Sequence, residues 1–149
     1  MEAQFVPYLF PTENGSKADT RWLALRGPRL GLLIAAPKPA NAASAGEETF
    51  HFGVQRFSTA QLDTANEIHE LSASEKVLHL SIDHAMMGVG GDDSWTPRTH
   101  DEYLVIPGKY SFEVQLRPFA RSGGKEDVEA ILASMPATRL IEAPTVAML

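Results

Sequence analysis

From residue 110 to residue 116 the chain alternates without a break. Tyr110, Phe112, Val114 and Leu116 are apolar, and Ser111, Glu113 and Gln115 between them are polar. Successive side chains on a strand point to opposite faces, so this pattern specifies a strand with one buried and one wet face. A shorter version of the same period sets Phe50, Phe52 and Val54 against His51 and Gln55, in a strand predicted over residues 49 to 57. Another sets Leu78, Leu80 and Ile82 against His79, Ser81 and Asp83, over residues 77 to 83. Residues 103 to 106 read as a further strand, turned by Pro107-Gly108. Residues 20 to 25 put Trp22 and Ala24 on one face and Leu23 and Leu25 on the other. Gly27-Pro28 ends that strand, and the nearly continuous apolar run from 30 to 36 follows, as expected for a strand buried on both faces. The two together read as a hairpin. Near the start, Phe5 to Phe10 is apolar but broken by Pro7, which fits an edge strand or an extended arm. Glu13-Asn14-Gly15-Ser16 is a turn signal.

Helix signals are few. Ser58 and Gln61 stand in capping-box spacing, so each side chain satisfies a backbone N–H of the other's region. Leu62, Ala65 and Ile68 or His69 then form a short apolar stripe, enough for a helix of about two to three turns. Residues 37 to 46, rich in Pro, Ala, Ser and Asn, read as a surface loop. After Pro118 the alternation stops. Arg121-Ser122-Gly123-Gly124 is a linker, and residues 126 to 135 form a second helix with acidic residues in its first turn. The division expected is a sandwich over residues 1 to 120, with a linker and partly helical tail over 121 to 149. About six or seven strands joined by short turns make this an all-β chain, an antiparallel β-sandwich with one short internal helix and a C-terminal helical tail.

A chain of 149 residues suits one domain or a large piece of one, and buries enough surface to hold a core without staples. It has no cysteine, which excludes disulfides and thiolate-bound zinc and sits easily with a reducing compartment. The net charge is -6, and no cluster of Lys and Arg offers itself to a phosphate backbone or an anionic bilayer. No apolar run approaches the roughly 20 residues of a membrane span. Met1-Glu2-Ala3-Gln4 lacks the basic start of a signal peptide. The expectation is a cytoplasmic protein that binds neither nucleic acid nor membrane.

The stretch from Met86 through Gly88, Gly90, Gly91, Asp92, Asp93 and Ser94 to Trp95 carries the most chemistry. Its three glycines allow backbone conformations closed to other residues. Asp92, Asp93 and Ser94 lock turns by bonding nearby N–H groups. Trp95 follows on a tightly folded loop. Such a loop fixes an indole in space, as a platform for a sugar ring, whose axial C–H bonds fit an aromatic face. The commoner use of a large aromatic is to plug the end of a sandwich, and the local residues leave both open. The glycines miss the G-x-G-x-x-G spacing and no Lys-Ser/Thr follows, so phosphate binding is excluded. Asp92 and Asp93 are adjacent and point apart, whereas a retaining glycosidase needs two carboxyl groups about 5 Å apart across the bond; a hydrogen-bonded turn fits them better. His79 and Asp83 share a strand face but stand about 13 Å apart, too far for one metal ion. His84, next to the glycine loop, is either a structural histidine or a partner for a sugar hydroxyl. Ser94 has no nucleophile elbow around it. Met86 and Met87 read as core filling.

These residues together resemble the C-terminal domain of family-2 β-galactosidases, the β-galactosidase small chain. Pro11-Thr12-Glu13-Asn14-Gly15 resembles that family's P-x-E-N-G turn. Phe50-His51-Phe52 through Arg56-Phe57-Ser58-Thr59-Ala60-Gln61-Leu62 looks like the strand and helix that follow. Ile82-Asp83-His84-Ala85-Met86-Met87-Gly88-Val89-Gly90-Gly91-Asp92-Asp93-Ser94-Trp95 is similar to its most specific stretch, and Tyr110-Ser111-Phe112 to its last strand.

The resemblance implies half of an antiparallel super-sandwich like that of galactose mutarotases. It implies that Trp95 lines the galactoside pocket of the complete enzyme. The catalytic glutamates, with the ligands for magnesium and sodium, would lie on a separate (β/α)₈ barrel. This chain would then carry no catalytic residue and no cofactor, and its partners would be the barrel-bearing chain and a β-galactoside such as lactose. The family's domain is about twice as long, so strand edges would be left open and invite association into an oligomer. A stand-alone carbohydrate-binding or structural module is the alternative. An epimerase on the mutarotase-like fold would need a histidine–carboxylate pair in one cleft, which the sequence does not locate.

Overall fold

The computed structural model describes residues 5–38, 48–121 and 127–136. Most of the expected loop over 37 to 46 and of the linker at Arg121 to Gly124, as well as the tail beyond Pro136, lies outside those residues. In chain order the elements are β1 (Lys17–Thr20), β2 (Trp22–Arg26), β3 (Leu30–Ala35), β4 (Phe50–Gln55), α1 (Thr59–Thr64), β5 (His79–Asp83), β6 (Gln115–Ala120) and α2 (Val128–Ser134). Single 3₁₀ turns stand at Ile68–Glu70 and Asp101–Tyr103. The strands form two antiparallel three-stranded sheets, ordered β1-β4-β5 and β2-β3-β6. The chain is therefore mostly β, consistent with the antiparallel sandwich read from its alternation. It divides into two compact units, residues 1–20 with 49–112 and residues 21–48 with 113–149.

In the first unit β4 is the central strand. Phe52 pairs with Ile82 and Val54 with Leu80 on one face, while His51 pairs with Asp83 and Gln55 with His79 on the other. Phe50 is fully buried. Along β1 the register slips: Lys17 faces Phe52 but Thr20 faces Phe50, three steps on one strand against two on the other. Asp19 takes up the extra residue in the left-handed region, at φ 51°, the conformation that glycine takes in the G1 type of bulge. The N-terminal arm is not a strand. Asn14 holds it instead, accepting from the Val6 N–H at 2.9 Å and donating to the Val6 carbonyl at 3.1 Å.

The capping box forms as read. Ser58 Oγ accepts from the Gln61 N–H at 3.2 Å and Gln61 Oε1 accepts from the Ser58 N–H at 3.1 Å. The helix is shorter than expected, six residues. Beyond it, Glu70 Oε2 accepts from the Asn66 N–H at 2.7 Å and draws the chain into the separate 3₁₀ turn.

In the second unit β2 and β3 form the expected hairpin, from Trp22 opposite Ala35 to Arg26 opposite Gly31. The Gly27 N–H donates to the Leu30 carbonyl at 2.9 Å and closes the turn over Pro28-Arg29. Strand β3 is buried on both sides: Leu33 and Ala35 on one face, Ile34 on the other. Helix α2 covers the Leu33 face, where Val128 and Met135 join Leu33, Ala35 and Phe119 in one cluster. Asp127 caps its start by accepting from the Ala130 N–H at 2.9 Å. Lys38 Nζ donates to the Leu132 carbonyl at 2.8 Å, satisfying its open end.

Two strand expectations are corrected. Residues 103 to 106 make no strand; a 3₁₀ turn ends at Tyr103. The alternating run from 110 to 116 is a strand only from Gln115 onward, and β6 then continues through Pro118 to Ala120. Alternation reports which side chains need cover, but a strand also needs a hydrogen-bonding neighbour. Among the described residues, 104 to 114 have no sheet pairing. Pro118 is tolerated because β6 is an edge strand, where a missing N–H breaks no ladder.

Candidate functional site

The glycine-rich segment after β5 folds as a loop that leaves and re-enters the first unit close to the same place. The Gly88 N–H donates to the Tyr103 carbonyl at 2.8 Å, joining its two limbs. Gly90 has φ +105°, a conformation that side-chain-bearing residues rarely adopt. A Cβ on Gly91 would stand 2.3 Å from the Thr96 carbonyl oxygen, so no side chain fits there without moving backbone.

The tip is built on Asp93. Its Oδ1 accepts from the Trp95 N–H at 2.8 Å, the Thr96 N–H at 2.8 Å and the Thr96 hydroxyl at 2.9 Å. Those bonds, the Thr96 amide first, hold its carboxyl below the ordinary carboxylate range. Asp92 turns elsewhere, to His100 Nε2 at 2.8 Å. The two adjacent carboxylates therefore serve different partners, and neither faces the other across a reacting bond. Ser94 is exposed.

Trp95 is 88 % exposed. Plugging a core, the commoner fate of a tryptophan, is not what the indole does in this chain. Met86 and Met87, read as core filling, are also more than half exposed. His84 is exposed too, with its ring 5.9 Å from that of Tyr110 and 5.5 Å from that of Phe112. The structure thus groups His84 with the aromatic side chains of the alternating run.

Sequence reading missed Thr96, Thr99 and His100. Asp93 and Thr96 stand three apart, the spacing of a side chain bonding back to a nearby amide, and that signal was present. His100 finds Asp92 eight residues earlier, a separation with no local signature. Beside the loop lies an open cavity of about 620 Å³, lined by Asp92, Asp93, Arg98, His100, Asp101 and Glu102 among others. A histidine–carboxylate pair therefore does stand at one cavity. Its side chains are 58 % and 82 % exposed, so water competes for both partners and the pair is not a desolvated acid–base couple. Among the described residues no three His, Asp or Glu side chains gather around a point that could hold a metal ion, and no helix is long and apolar enough to cross a membrane.

Residues 1–116 match the family described as beta galactosidase small chain. The chain belongs to the β-galactosidase small-chain family. Individual relatives agree. The chain is 37 % identical over 118 residues to a β-galactosidase of Photobacterium profundum, covering 79 % of this chain and 10 % of that protein. It is 39 % identical over 116 residues to a β-galactosidase of Vibrio cholerae, covering 78 % and 10 %. With a β-galactosidase of Aeromonas hydrophila it shares 39 % over 110 residues, covering 74 % and 9 %. This small-chain family member thus spans about a tenth of the length of the β-galactosidases it matches. The matched region contains the whole Trp95 loop and stops short of α2, so the helix on the Leu33 face lies outside the family match.

Proposed function

We propose that this chain is a terminal segment or small subunit of a β-galactosidase and that Trp95 forms one wall of the galactoside pocket. The observation that carries the reading is the indole itself: 88 % exposed, yet mounted on a loop whose tip is fixed by Asp93 and whose glycines exclude side chains. Such an indole is a surface offered to something outside the chain. The axial C–H bonds of a galactosyl ring would lie against its face. Burying an aromatic surface of this kind is worth about 1.5–3 kcal/mol.

The bond-breaking groups in this reading belong to a partner chain that carries a catalytic barrel. One of its glutamates attacks the anomeric carbon to give a covalent galactosyl-enzyme. The other protonates the departing oxygen and then activates the water that releases the sugar with retained configuration. Trp95 exchanges no proton in either step; it holds the ring in place and keeps water away from one side. His84 has a secondary role as a sugar hydrogen-bond partner, supported by its exposed imidazole. Magnesium and sodium, where the complete enzyme uses them, are held by the partner. The substrate is a β-galactoside such as lactose, hydrolysed in the cytoplasm.

Complementation tests the proposal. A large β-galactosidase chain lacking this segment is mixed with the purified 149-residue chain and assayed on a chromogenic galactoside. Hydrolysis should appear on mixing. No gain, with both chains folded, contradicts the subunit reading, and galactoside binding by this chain alone without any such gain favours a separate carbohydrate-binding module.

A further inference from the structure

We infer that Thr99 and His100 are positioning residues for Trp95. The inference rests on reading Trp95 as a pocket wall. The stretch similar to the family's motif ends at Trp95, but the bonds that place the loop come from the residues after it.

Two kinds of tie act on this loop, and they do different things. Asp93 bonds to residues two and three positions away. Those bonds fix the shape of the tip, and they would survive if the whole tip swung as a unit. Where the tip stands is decided by ties between the limbs. Thr99 supplies one: its hydroxyl donates to the Gly88 carbonyl at 3.1 Å, with the Gly90 carbonyl at 3.4 Å as a longer alternative. A hydroxyl has a single hydrogen, so the shorter contact carries most of the bond. His100 supplies the second, through Asp92 at 2.8 Å. The third is the backbone bond between Gly88 and Tyr103, which no side-chain substitution removes.

The ties also explain the glycines. Gly88 has Tyr103 Cβ and Thr99 Cγ2 at 2.8 and 3.1 Å from where its own Cβ would be. The outgoing limb lies so close to Tyr103 that a side chain would force a shift, and Thr99 stands tight beside it. Close approach and hydrogen bonding therefore act at the same point, and Thr99 holds a limb whose glycines would otherwise leave it loose. Without Thr99 and His100 the indole keeps its local turn, and of the three ties that place it the Gly88–Tyr103 backbone bond alone remains.

The test needs a readout on the intact chain that is independent of hydrolysis. In a Trp22→Phe background Trp95 is the remaining tryptophan, since the chain has two. Backbone order parameters for Trp95 and indole fluorescence anisotropy are then measured for Thr99→Val, Thr99→Ser and His100→Leu. Thr99→Val keeps the shape and removes the donor; Thr99→Ser restores it. Thr99→Val and His100→Leu should each move the Trp95 amide from the rigid range near about 0.85 toward the flexible range below about 0.6, with lower anisotropy, and Thr99→Ser should not. In the complemented enzyme the same two variants should raise KM about two- to tenfold, the effect of one lost hydrogen bond, with little change in kcat. Unchanged order and anisotropy in both Thr99→Val and His100→Leu overturns the inference, whatever the enzyme does. Failure of every version to complement, the unsubstituted chain included, removes the subunit reading and with it the premise that Trp95 is a pocket wall, so it counts against the inference; the order parameters then show that this premise failed rather than the brace.

Discussion

The carboxylate of Asp93 accepts from two backbone amides and a hydroxyl at the loop tip, and its pKa lies below the ordinary value of 3.8. A depressed carboxyl pKa contributes order that is fully present above the unfolded value and is lost as pH falls through the folded one. The Trp95 amide should therefore stay protected from exchange down through about pH 3.8 and lose protection only below it. Asp93→Asn should flatten that profile, as read by amide exchange against pH. Trp95 makes the opposite kind of expectation. Because the indole is exposed, Trp95→Ala should change urea stability by less than about 0.5 kcal/mol; a core tryptophan would cost about 3–5 kcal/mol. The glycines and the turn-forming aspartates of this site were legible in the sequence, since they answer to local backbone rules. The exposure of Trp95 was not. Burial depends on what folds over a side chain, and an identical loop serves a plug or a platform. His100 was illegible for a related reason, its partner being set by where two limbs meet.

Elements show the same division. The β2–β3 hairpin and the Ser58–Gln61 cap were readable because turn chemistry and capping are written in a few adjacent residues. The failures came at residues 103 to 106 and 110 to 114, where apolar patterning meets no neighbouring strand among the described residues. Helix α2 covers the Leu33 face of β3, and at seven residues it is too short to persist without that packing. Met135→Ala should therefore cost about 2–5 kcal/mol in urea unfolding of the second unit. On the same face Gly31 lies under the Phe119 ring, and a Cβ at Gly31 would stand only 2.1 Å from it. Gly31→Ala should cost about 1–3 kcal/mol through overpacking. Phe119→Leu, which shortens the obstructing ring, should recover part of that cost in the double variant. Additive losses would show that the two residues do not compete for one space.

For the whole molecule, the large apolar side chains left in water are informative. Tyr103, Ile106, Tyr110 and Leu116 are each more than half exposed, in a stretch whose sequence is patterned for burial. The chain spans about a tenth of its relatives' length, and in the proposed function the larger assembly covers these side chains. The order of four separated motifs along the chain revealed the family; in the proposed function, a partner completes the galactoside pocket. The decisive measurement is kcat/KM for a chromogenic galactoside in the complemented enzyme, with Trp95→Ala against the unsubstituted chain at equal concentrations of complex. A pocket wall predicts that the variant assembles normally and that kcat/KM falls about 10- to 100-fold. Unchanged kcat/KM, or a loss that merely tracks the amount of complex formed, would contradict it.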